Sequence, residues 1–104
     1  MKLTQSLPQD AQGLRLLVRG NIQRYFVHLR TSSTVLPWQY YQAGFDVSED
    51  WKEVLLPFED FKASGIFLRA IPLPESLRSV GIVAFRRDHK VEIEVRELGY
   101  FSDL

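Results

Sequence analysis

From Gly13 to Gly20 the chain reads GLRLLVRG, in which Leu14, Leu16 and Val18 alternate with Arg15, Leu17 and Arg19. A period of two is the signature of a strand with one buried face. The next residues, GNIQ, contain Gly and Asn, which tolerate positive φ, and so predict a tight connection. The run RYFVHLRT repeats the alternation, with Tyr25, Val27 and Leu29 on one face and Phe26, His28 and Arg30 on the other. These two runs are expected to pair as an antiparallel hairpin. After the loop SSTVLP, Tyr41, Ala43 and Phe45 alternate with Tyr40, Gln42 and Gly44. SED turns the chain into WKEVLLPF, where Val54 and Leu56 are expected inward. Pro57 has no N–H for a ladder, so this strand should end there or lie at an edge.

The segment SGIFLRAIPLPESL has two prolines close together and reads as an irregular excursion with a short helical turn around Glu75 to Arg78. RSVGIVAFRR is almost continuously apolar, which suits a strand covered on both faces. DHK turns it, and in KVEIEVRELGYF the residues Val91, Ile93 and Val95 alternate with Glu92, Glu94 and Arg96. EIEVRE alone could be drawn as a helix, but its β-branched apolar positions favour a strand. About six closely spaced strands, with no long amphipathic helix, predict an all-β chain folded as an antiparallel β-sandwich of two packed sheets. With 104 residues, one domain spanning 1–104 is expected.

Charge and composition narrow the function. Thirteen basic residues balance thirteen acidic ones, against generic nucleic-acid binding, which depends on neutralising phosphates. There is no cysteine, so thiolate nucleophiles, disulfides and cysteine-based zinc sites are excluded. No apolar run approaches a membrane span, so no membrane insertion is expected. MKLTQSLPQD has no apolar segment of the secretory type. The expectation is a soluble intracellular protein.

No nucleophile elbow, phosphate loop or dinucleotide turn is present. The two histidines, His28 and His89, fall on different elements, a poor basis for a metal site. Glu59 and Asp60 lie between Phe58 and Phe61 in LPFEDF. Adjacent acids in a turn point apart, and the plain reading is a sandwich corner whose phenylalanines plug the core. Glu92 and Glu94 read as a solvated strand face. No catalytic residue and no cofactor is expected, and the chain is read as a non-enzyme. If Leu14, Leu16, Val18, Tyr25, Val27, Leu29, Tyr41 and Phe45 face the core, the opposite face carries Arg15, Arg19, Phe26, His28, Arg30, Tyr40 and Gln42. Rings, guanidinium forks and an amide side by side form a candidate binding surface. Arginine stems covering apolar surface, or another segment or chain lying over the face, would give the same pattern.

Taken in order, the blocks DAQGLRLLVRGNIQRYFVHLRT, YYQAGFDVSEDWKEVLLPFEDF and LRSVGIVAFRRDHKVEIEVRELGYF resemble the complex I intermediate-associated protein 30 family, from about Gln9 to Phe101. The likeness lies in a GLRLxVRG strand, RYxxxLRT, a Tyr-Gln-Ala strand, the LPFxDF corner and an SxGI strand. It implies a galactose-binding-like jelly roll. Mitochondrial members are assembly factors for respiratory complex I. The resemblance therefore implies a non-catalytic, chaperone-like protein-binding module whose partners are respiratory-complex subunits, in a bacterial cytoplasm or a mitochondrial matrix. The alternative is a small carbohydrate-binding module of jelly-roll type, with a glycan as ligand. Family members usually carry further N-terminal strands, with a Met-Gly-Gly type segment and a tryptophan, ahead of GLRLxVRG. Against that pattern the chain reads as a truncated or minimal form, whose unpaired edges would favour a homodimer.

Overall fold

The computed structural model describes residues 1–84 and 92–102, and in it the alternating runs become the strands of two antiparallel sheets. The strands are β1 (Gly13–Gly20), β2 (Gln23–Thr31), β3 (Tyr41–Val47), β4 (Lys52–Pro57), β5 (Lys62–Ala63), β6 (Leu77–Ala84) and β7 (Ile93–Phe101). One sheet has the order β4-β1-β7 and the other β5-β3-β2-β6. The protein is thus an all-β sandwich, as its periodicity predicts. Among the described residues, no helix is long and apolar enough to cross a membrane.

The expected β1–β2 hairpin does not form. β1 pairs with β4 and β7, whereas β2 pairs with β3 and β6. After Gly20 the chain crosses from one sheet to the other, and Leu14, Leu16 and Val18 meet Tyr25, Val27 and Leu29 across the core, all at most 3% exposed. The alternation is indifferent to this choice. A strand pair joined by a tight turn buries the same residues whether the two lie side by side or face to face. The crossing is fixed by Gly20, whose N–H donates to Ser48 O at 2.9 Å and where a Cβ would collide with Glu92 O. The Tyr25 hydroxyl ties the same end: it donates to Asn21 Oδ1 at 2.6 Å and accepts from Gln23 Nε2 at 2.9 Å and Glu92 N–H at 3.2 Å.

Val54 and Leu56 are buried, and β4 is an edge strand that stops at Pro57. LPFEDF is the corner it was read to be. A 3-10 turn, Phe58–Asp60, follows the proline, and Phe58 and Phe61 are buried at 3% and 2% exposure with rings 6.2 Å apart. Glu59 and Asp60 are exposed. The helical turn expected around Glu75 to Arg78 is a 3-10 turn at Pro74–Ser76, with Leu77 already in β6.

Two further expectations change. β6 is an edge strand with Val83 39% exposed, not a strand covered on both faces; residues 1–3 lie along part of its free edge through the Lys2–Ser79 bridge. In β7 the register jumps between Leu17 and Val18, which face Glu97 and Val95, so Arg96 is the extra residue of a bulge and Val95 is 42% exposed. The expected turn at DHK, with His89, Val91 and the end of RSVGIVAFRR, lies outside the described residues.

Candidate functional site

Because β1 and β2 lie in different sheets, the seven side chains expected on one face divide between two outer faces pointing in opposite directions. Arg15 and Arg19 are on the three-stranded sheet. There Arg15 Nε donates to Glu53 Oε2 at 2.7 Å and its Nη2 to Glu97 Oε2 at 3.2 Å. Glu53 and then Glu97 hold the Arg15 guanidinium above its ordinary value through these bonds. Arg19 donates to Glu94 at 3.4 Å and also lies over the Trp51 ring at 4.8 Å, where Arg96 joins it at 4.5 Å. These charges are matched within their own face, in solvent-screened pairs.

The four-stranded sheet carries Phe26, His28, Arg30, Tyr40 and Gln42. His28 and Gln42 are register partners on β2 and β3, and His28 Nε2 meets Gln42 Oε1 at 2.7 Å. For that oxygen to accept, the imidazole holds its hydrogen on Nε2. The Tyr40 ring stacks on His28 at 4.4 Å and 11°, so three of the expected residues form one polar, flat cluster. Phe26 lies beside it, opposite Gly44 on β3. A Cβ on Gly44 would sit 2.6 Å from Arg24 Nη2 and 2.9 Å from Phe26 Cε1. The glycine therefore lets both side chains lie low across the strand. On the other flank Gly81 of β6 is opposite His28, with open space above it. A shallow hollow of about 400 Å³ opens between Phe26, Gln42, Gly44, Asp60 and Lys62. The result is an aromatic platform with a hollow on one flank and a step on the other.

Arg30 is on this face but is already engaged. Its Nη1 donates to Pro37 O and Gln39 O, both at 3.1 Å, and its Nη2 to Thr34 O at 2.7 Å and Leu36 O at 3.2 Å. The guanidinium is the hub of the loop 32–40. Buried Thr34 completes that loop, its hydroxyl donating to Thr31 O and accepting from Thr31 N–H, both at 2.9 Å. Among the described residues, no three His, Asp or Glu side chains converge to hold a metal ion.

Over residues 4–95 the chain matches the family described as Complex I intermediate-associated protein 30 (CIA30). It belongs to that family. No curated protein matches it with significance. The match includes every residue of the CIA30 platform, from Phe26 to Gly81, and the LPFEDF corner. Sequence reading missed Gly44, Gly81 and Lys62 as parts of the platform, and Trp51 as the ring shared by Arg19 and Arg96. Gly44 and Gly81 interrupt apolar strand runs, a signal of close approach or open space, but which neighbour each serves depends on register.

Proposed function

We propose that this chain is a non-catalytic protein-binding module acting in the assembly of respiratory complex I. Its contact surface would be the platform of Phe26, His28, Tyr40 and Gln42. Membership of the CIA30 family is the observation that carries the reading. The geometry supports it: rings and an amide held by strands β2 and β3 and by the Tyr40–His28 stack lose little entropy when a partner covers them. On this reading Arg30 shapes the neighbouring loop, and Arg15 and Arg19 belong to a separate charged face. The compartment follows from the role, the bacterial cytoplasm or the mitochondrial matrix. The test is an affinity capture from host lysate after light cross-linking, read by mass spectrometry. Respiratory-complex subunits captured by the wild type and lost in a His28→Ala/Tyr40→Ala variant support it. A capture without such subunits rejects it.

The stacked Tyr40 and His28 rings, with open space over Gly81, also favour a second reading, a glycan laid on the same platform. Trp38 is 67% exposed on the adjoining loop, so quenching of its fluorescence by soluble oligosaccharides would report this. Self-association as a homodimer is part of the proposal as well. β6, partly covered by residues 1–3, and β7 are edge strands of their sheets, with Val80, Ile82, Val95 and Leu98 lining a gap of about 440 Å³ between them. Light scattering on the eluting protein gives the oligomeric state.

A further inference from the structure

The end of the sandwich opposite the Gly20 crossing carries two loops, residues 32–40 and 64–73, that hold large apolar side chains out in solvent. Ile66 is 91% exposed, Phe67 90%, Val35 77%, Trp38 67% and Leu36 41%. These tips are built, not loose. The first loop is organised by the Arg30 guanidinium on four carbonyls. The second is fastened to it by Ser64, whose N–H donates to Tyr40 O at 2.9 Å and whose hydroxyl accepts from Tyr40 N–H at 3.0 Å and donates to Trp38 O at 3.1 Å. Buried Tyr41 adds a bond to Arg69 O at 2.9 Å. Within the two loops the charge is basic, with the exposed acids Glu59 and Asp60 standing just ahead of Lys62. No charged residue lies between Arg30 and Asp46, and between Asp60 and Glu75 the only ones are Lys62 and Arg69.

We propose that these two loops form a docking surface for an anionic lipid bilayer, with Ile66, Phe67 and Trp38 entering the headgroup region and Lys62 and Arg69 facing its negative charge. Side chains standing 67% to 91% exposed, as Trp38, Phe67 and Ile66 do, suit a deformable medium. An indole ring and aliphatic tips flanked by lysine and arginine match the composition of interfacial anchors. The contact is superficial, distinct from a span, and adjoins the platform proposed to bind protein, whose hollow Lys62 also lines.

The test is flotation of the full chain with vesicles of phosphatidylcholine alone or mixed with phosphatidylglycerol. The wild type is expected to float with the anionic vesicles and to be released by salt. In a Trp51→Phe background, Trp38 emission should shift to the blue on mixing. An Ile66→Ser/Phe67→Ser variant should keep its melting temperature and lose about tenfold or more in vesicle partition. Absence of flotation by the wild type overturns the proposal, as does equal flotation by the variant. Loss of self-association in the variant, with vesicle binding unchanged, assigns the patch to a second copy and also overturns it. Because the complex I capture depends on His28 and Tyr40, the two readings fail separately.

Discussion

Arg30 tests the idea that one side chain organises the loop 32–40. Its guanidinium serves four carbonyls, and the bonds to Gln39 O and Thr34 O are partly shielded from water while those to Pro37 O and Leu36 O are exposed. Hydrogen bonds involving a charged group contribute about 1.5 to 3 kcal/mol each when shielded and much less at the surface. Counting the two shielded bonds at the low end, Arg30→Ala should cost about 3 kcal/mol. For a chain of this size that is a fall of roughly 10 °C or more in melting temperature. Arg30→Lys should recover less than half, because an ammonium is a point donor and cannot span four carbonyls. Thermal unfolding followed by circular dichroism measures the loss, and limited chymotrypsin digestion locates it, since Leu36, Trp38 and Tyr40 lie within the loop. A melting temperature within about 1 °C of wild type, with no faster cleavage at Trp38 or Tyr40, would refute the reasoning.

Two other outcomes follow from the packing. Phe61→Ala, at a position 2% exposed, should cost about 3 to 5 kcal/mol in urea unfolding, whereas Glu59→Ala in the same corner should stay within about 0.5 kcal/mol. Burial pushes the Tyr41 phenol above its ordinary value, with Arg69 opposing in part. A raised phenol leaves stability intact below about pH 10 and removes it as pH rises through the folded value, because the unfolded chain ionises first. Tyr41→Phe should therefore flatten the alkaline limb of the stability curve, and an unchanged limb would assign alkaline unfolding elsewhere.

The strands were legible because each buries one face, and Leu14, Leu16, Val18, Tyr25, Val27 and Leu29 declare that by alternation alone. Pairing was not. Nothing local distinguishes a hairpin from a crossing at GNIQ, since the deciding contacts of Gly20 and Tyr25 are with Ser48 and Glu92, far along the chain. The candidate surface inherited that ambiguity. His28, Tyr40 and Gln42 come together because β2 and β3 are true neighbours, while Arg15 and Arg19 are separated from them by the thickness of the core. Arg30 was placed on the correct face but its occupation by its own loop was invisible, because backbone carbonyls leave no mark in a sequence. The bulge at Arg96 was likewise hidden inside the clearest alternation of the chain.

β1 is the middle strand of its sheet, and one of its two neighbours is β7, with Gly13 opposite Phe101. On a ribosome this is a matter of waiting. The four-stranded sheet can assemble once β6 has emerged, but β1 keeps one unpaired backbone edge until residues 93–101 leave the exit tunnel. Pairings between distant segments close slowly, and an exposed edge invites other chains meanwhile. Synthesis of this sandwich therefore carries an aggregation-sensitive interval that ends only with the last strand, and a chain cut before Ile93 would remain in it.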